Sequence, residues 1–130
     1  MPLPEAIAVP GLPAPSSYYS HVVRHGDTLY LAGMGASDRS GDIIGLGDIG
    51  VQAEQTFSNI KFVLESLGAD MRHVIKLTTF LVDPRHHGIV METRKQFFGD
   101  WAPASILCAV NNLPRDGMLI AVDVIAAAPD

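Results

Sequence analysis

Cysteine is nearly absent from this 130-residue chain: Cys108 stands alone, which excludes an internal disulfide and fits a reducing compartment. Cations are also scarce. Nine Lys and Arg against fourteen Asp and Glu leave a net charge of −5, and the basic residues are scattered, which argues against nucleic acid as a partner. No apolar run approaches the roughly twenty residues a membrane span needs. No basic residue precedes the short apolar stretch at the N-terminus, so a signal peptide is not expected and the expected location is cytoplasmic. The chain has no GxGxxG or P-loop spacing, no HExxH and no Cys-His set. His21 and His25, four apart, and the adjacent His86 and His87 read as surface residues, because zinc needs three or four converging ligands. Neither a metal nor an organic cofactor is expected, and Cys108, with no histidine partner in reach of the sequence argument, is read as a small core residue rather than a nucleophile.

Apolar residues, by contrast, are plentiful. They make up 48% of the chain and charged residues only 18%, with a mean hydropathy of +0.23, which points to apolar surface covered by further copies of the chain. The length fits one domain, residues 1–130. Five of the nine prolines fall in the first fifteen residues (Pro2, Pro4, Pro10, Pro13 and Pro15), and this segment reads as an extended arm, since proline fixes φ and removes a donor.

Beyond the arm, Ser20–Val23 and Thr28–Gly33 read as strands joined by a hairpin turn at Gly26-Asp27. Gly33, Gly35, Gly41, Gly45 and Gly47 mark a loop over 34–48. Asp48 can cap a helix that Gly68 ends, and Phe57, Ile60, Leu64 and Leu67 make its apolar stripe. The β-branched run 74–82 predicts a strand. Asp83-Pro84 predicts a helix start, with the second helix running to Phe98 and stopping at Gly99. Two further strands are expected at 105–110 and 118–127. The order β-β-α-β-α-β-β, with two helices covering one face of a mixed sheet, defines an α+β domain.

The last two strands flank Leu113-Pro114-Arg115-Asp116-Gly117, and a lone carboxylate, Asp123, sits inside the Val-, Ile- and Ala-rich second run. A charge there is costly unless it has a partner or a task. Both readings stand: a structural acid paired with an amide or with an arginine across a subunit boundary, or a reactive group. With Tyr19-Ser20-His21-Val22-Val23, Gly26–Gly33, Leu67-Gly68-Ala69-Asp70, Thr79–Asp83, Phe97-Phe98-Gly99 and Pro103-Ala104-Ser105, these segments resemble, in order and spacing from Tyr19 to Ala126, the RidA (YjgF) family of enamine and imine deaminases.

The resemblance implies a chorismate-mutase-like fold, a homotrimer, and a small-molecule metabolite held in a cleft at each subunit boundary. The cleft would be lined by Tyr19, Ala32, Gly33, Ser105 and Leu107, with Asp123 at the position of the glutamate that holds the attacking water. The site departs from the family pattern. Ala32 replaces a frequent serine, Met34 a glutamine and Met91 an asparagine, and Ser105 replaces the arginine that holds the substrate carboxylate. A neutral hydroxyl in place of a charge-assisted clamp costs roughly ten- to a hundredfold in binding. Arg24, Arg94 and Arg115 are the candidate substitutes; Arg94 lies where a tyrosine is frequent. The expected activity is hydrolytic ammonia release from an enamine or imine that lacks, or differently presents, a carboxylate. The alternative is a non-catalytic binder with a cleft made more apolar by Ala32, Met34, Met91 and Leu107. Endoribonuclease activity, also attached to parts of the family, is disfavoured by the acidic charge.

Overall fold

A computed structural model describes residues 2–130. Six strands form one sheet in the order β1-β2-β3-β6-β4-β5. β2 (Val22–His25) and β3 (Thr28–Met34) make the expected hairpin, with Gly26 at φ 62°, the first central position of a II′-type turn. β6 (Ile120–Ala127) runs antiparallel to both β3 and β4 (Val74–Leu81), and β5 (Ala104–Ala109) is a parallel edge strand on β4. The sheet has one strand more than the sequence predicts. Within the proline-rich arm, Glu5–Ile7 forms β1 and pairs antiparallel with β2. The reason is local: these residues fill the proline-free gap between Pro4 and Pro10, and an edge strand tolerates prolines at its ends. Met1 of that arm lies outside the described residues.

Helix α1 (Ile49–Ser66) starts where Asp48 accepts the Val51 N–H at 3.1 Å, and the chain leaves it through Gly68 at φ 81°. Helix α2 is shorter than the sequence suggests. Asp83 caps a single 3-10 turn, Pro84–His86, and α-helical geometry runs from His87 to Phe98 before Gly99 turns away at φ 61°. Asp83 also takes the Arg85 guanidinium at 2.8 Å; that side-chain bond, with the Arg85 N–H, holds its pKa down at about 2.

Both helices lie on one face of the sheet. Phe57, Ile60 and Leu64 of α1 are fully buried against Leu77, Leu81, Ile120 and Val122, and Phe57 meets Phe97 and Phe98 of α2 at ring separations of 5.8 and 6.2 Å. Trp101 ties the chain after α2 to the sheet by donating from Nε1 to the Val74 carbonyl at 2.9 Å. α1 also carries a buried polar stripe, Gln52, Thr56 and Asn59, at helical spacing. Gln52 is completely buried. Its Nε2 donates to the Gly45 and Gly117 carbonyls at 3.1 and 2.8 Å, and its Oε1 accepts the Leu119 N–H at 2.9 Å. Asn59 donates to the Gly35 and Ser37 carbonyls at 2.9 and 2.8 Å and so fastens the start of the glycine loop.

Replacing Gln52 by Leu should strand one buried N–H and two carbonyls, at a cost on the order of 2–4 kcal/mol. Urea unfolding of the variant measures this; a loss under about 1 kcal/mol would show that water or loop relaxation satisfies those groups.

Candidate functional site

Pairing fixes which side chains share a face, because directly opposed residues in a sheet point the same way. Leu77 is paired with Ser105 and Val124, and this row faces the helices; Thr78 is paired with Ile106 and Asp123, and this row faces away from them. Ser105 and Asp123 therefore emerge on opposite faces. Leu107 shares the side of Ser105 and packs, half-buried, against the hydrophobic core. Cys108 faces opposite to Ser105 and Leu107 and shares the side of Asp123: its register with Phe80 and Ala121 sets it half-buried on the open face, whereas the sequence reading made it a small core residue.

The open face is mainly apolar. Tyr30 and Ile106 are about half exposed, at 45% and 52%, and Val23, Ala32, Phe80, Cys108, Ala121 and Ile125 flank them, half-buried. Asp123 stands among these with no hydrogen-bond or ion-pair partner among the described residues. The strands around its carboxyl strip away solvent, which raises its pKa above the ordinary carboxylate value.

Ala32 and Gly33 occupy an irregularity in the β3–β6 ladder. Between Leu31, opposite Val124, and Met34, opposite Val122, β3 has one residue more than β6. Here the backbone re-aims toward a rim cavity of about 440 Å³, lined by Tyr19, His21, Gly33, Ser37, Arg115 and Met118 among others. A side chain grown at Gly33 would meet nothing within 4 Å, so the backbone is bare on that side. His21 is part of the wall. Its Nε2 meets the Pro13 carbonyl at 2.8 Å and its ring packs edge-on to Tyr19 at 5.7 Å, fastening the arm beside the cavity; His25 makes a similar contact with Pro2 at 3.1 Å. Arg115 reaches Ser37 Oγ at 3.4 Å across the cavity mouth.

The other expected group lies at the far edge of the sheet. Arg94 of α2 donates from Nη1 to Ser105 Oγ and from Nη2 to Thr79 Oγ1, both at 2.7 Å, and its carbon Cζ lies 6.0 Å from the Phe57 ring centroid. Its Nε is buried without a partner, and burial pulls its pKa below the ordinary guanidinium value. Of the three candidate arginines, Arg94 is thus the one that meets Ser105. Arg115 lies at the rim cavity, and Arg24 donates only to the Gly26 carbonyl, at 3.0 Å. Gly33 and Ser105 are three strand spacings apart, roughly 14 Å, across β3, β6, β4 and β5. One chain does not bring these groups together.

These features describe a class: a small α+β protein with helices over one sheet face, an apolar opposite face, and site-like polar groups divided between two rims. A family model described as Endoribonuclease L-PSP matches residues 11–128. A RutC family protein of Pyrococcus horikoshii is 35% identical over 123 residues, 94% of this chain and 96% of that one. A 2-iminobutanoate/2-iminopropanoate deaminase of Dermatophagoides farinae is 33% identical over 111 residues, 85% and 86% of the two chains. Among solved structures, a conserved Rid-family protein from Yersinia pestis shares the fold with a TM-score of 0.89 at 26% identity, over 97% of this chain and 100% of that one. The RidA of an Antarctic Psychrobacter matches with a TM-score of 0.85 at 27% identity, over 95% and 98%. The chain belongs to the family of L-PSP, RutC and Rid proteins.

The unpartnered carboxylate gives a signed pH dependence. A carboxyl whose pKa is raised in the fold opposes folding once it ionises, so its penalty is absent below the unfolded value, about 3.9, and complete above the folded one. Asp123→Asn should therefore melt higher than the parent at pH 7, with the gap closing toward pH 3. A variant that melts lower at pH 7 would mean that Asp123 is ion-paired across a subunit boundary.

Proposed function

We propose that the protein hydrolyses enamines or imines with release of ammonia, in clefts formed between copies of a homotrimer. The observation that carries this reading is Asp123: one carboxylate, without a partner among the described residues, on a mainly apolar sheet face that also carries Lys76 and Thr78. In a solvent-exposed monomer that face would be an unusually large apolar patch, and covering it with further copies removes the patch. Covering it also offers a way to join the two rims. The Tyr19, Ala32 and Gly33 side of one copy would meet the Asp123 and β5 side of the next.

In such a cleft Asp123 accepts a hydrogen bond from a water and takes its proton as the oxygen attacks the C=N carbon. The π electrons move to nitrogen, which takes a proton from solvent, giving the carbinolamine. This then collapses: its C–N bond breaks as Asp123 returns its proton to nitrogen, ammonia leaves, the hydroxyl proton passes to solvent, and a carbonyl remains. Water is the only co-reactant. The relative from Dermatophagoides farinae, named for 2-iminobutanoate and 2-iminopropanoate, supports imines of that size. A second reading, a binder without activity, draws on the rim cavity of about 440 Å³, which can hold a small metabolite without Asp123.

The test is ammonia release from imines generated in situ by an amino-acid oxidase, against the buffer rate. We expect acceleration by the parent and a loss of about 10²- to 10⁴-fold in Asp123→Asn. No acceleration across a panel of side chains, or equal activity in the variant, would overturn the hydrolytic reading. Sedimentation should give three times the 13.9 kDa chain mass; a monomer would remove the shared cleft.

A further inference from the structure

We propose that the loop end of the rim cavity binds a small phosphate monoester, with the phosphate between Arg39 and Arg115 and the organic group over Met34, Met118 and Tyr19. The inference takes up the cavity of the second reading above and names its ligand class. It depends on neither Asp123 nor turnover.

Charge points there first. The chain has only nine Lys and Arg against fourteen Asp and Glu, yet two of its arginines line this one cavity. Neither is neutralised, since the ion pairs among the described residues involve only Asp70 and Asp83 as acids. Arg39 donates no hydrogen bond among the described residues; the arginine side chains that do are Arg24, Arg85, Arg94 and Arg115. It is held instead by the Phe62 ring of α1, whose centroid lies 3.5 Å from the guanidinium carbon. Stacking engages the flat of the group and leaves its five N–H donors free at the edge. Arg115 arrives from the turn before β6 and spends one donor, on Ser37 Oγ at 3.4 Å. Ser37 stands two residues before Arg39, so two separate loops bring their cations to the same mouth.

One carboxylate, Asp38, also lines the cavity. Its Oδ1 accepts the Ser40 and Asp42 N–H groups at 2.9 and 3.0 Å, which closes the loop and pairs it with neither arginine. Two cations against one anion leave the mouth positive. The donor set then selects the shape of the ligand. One guanidinium edge saturates a planar carboxylate, whereas two guanidinium groups with the hydroxyls of Ser16, Ser37 and Ser40 suit the three terminal oxygens of a phosphate ester. Beyond these groups the wall is apolar, and about 440 Å³ admits a small ring behind the phosphate.

The test is calorimetric titration of the parent protein with phenyl phosphate at neutral pH, beside phenol, phenylacetate and inorganic phosphate. Phenyl phosphate should bind at least about tenfold tighter than each of the other three. Arg39→Gln and Arg115→Gln should each weaken it by about tenfold, and the double variant should lose the preference altogether. Arg72→Gln removes an exposed arginine outside the cavity and should bind as the parent does. Arg39 and Arg115 are exposed as well, so the variants should fold, and thermal melting checks this. No binding of phenyl phosphate, binding of phenol or phenylacetate at equal strength, parental affinity in the double variant, or an equal loss in Arg72→Gln would each overturn the assignment. Phenyl phosphate binding without ammonia release from any imine would sustain this inference while rejecting the hydrolytic reading; ammonia release without phenyl phosphate binding would do the reverse.

Discussion

One buried amide sets the frame on which the rest depends. Gln52 holds a carbonyl of the glycine loop with one hand and the turn before β6 with the other, through Gly45, Gly117 and Leu119. The contact to Leu119 matters most. It fixes the residue just before Ile120, where β6 begins, and a slip of one residue there would exchange the faces of that strand. Asp123 would turn into the core, and Val122 and Val124 would turn out. The exposed carboxylate is thus a consequence of a helix residue more than sixty positions earlier in the chain. A glutamine can serve because all three of its polar contacts are made with backbone, so nothing polar is left stranded in the core.

From that register follows the division of labour between the two sheet faces. The helix side is filled by Phe57, Ile60, Leu64, Leu77 and Leu81 and has no room for solvent. The other side is apolar without being covered, and it carries Asp123. The rims differ as well. At the β3 irregularity the Gly33 backbone is exposed beside the cavity flanked by His21 and Asn59; at the β5 edge Arg94 lies over Ser105 and Thr79. Each half is well held and neither resembles a complete site. That pattern belongs to proteins whose sites form between subunits, where each chain supplies a preorganised part.

Much of this was legible in the sequence wherever the cause was local. The Asp48 cap, the Gly68 exit, the Gly26-Asp27 turn and the Phe57-Ile60-Leu64 stripe each follow from neighbouring residues, and each is found. Strand β1 was hidden because Pro2 and Pro4 dominate a composition argument, although only the three residues Glu5–Ile7 pair. The Gln52-Thr56-Asn59 stripe was overlooked beside the stronger apolar one, yet buried polar residues at helical spacing are a readable signal. The facing of Ser105 and Asp123 was not legible. Alternation gives the sides within one strand, but the relation between strands needs the register of β4 between them. Arg94 could only be offered with Arg24 and Arg115, since its meeting with Ser105 depends on how α2 lies across the sheet edge. Arg94 stands eleven residues before Ser105 in the sequence, and no local rule selects it.

The central claim is that the site is shared between copies, and subunit mixing tests it most directly. Tyr19→Ala disables one side of the cleft and Asp123→Asn the other, and each variant alone should be inactive in ammonia release. Co-refolded in equal amounts, random trimers would place an intact Tyr19 side against an intact Asp123 side at about one quarter of the boundaries, and that fraction of parental activity should return. A mixture as inactive as its components would contradict a site divided between subunits.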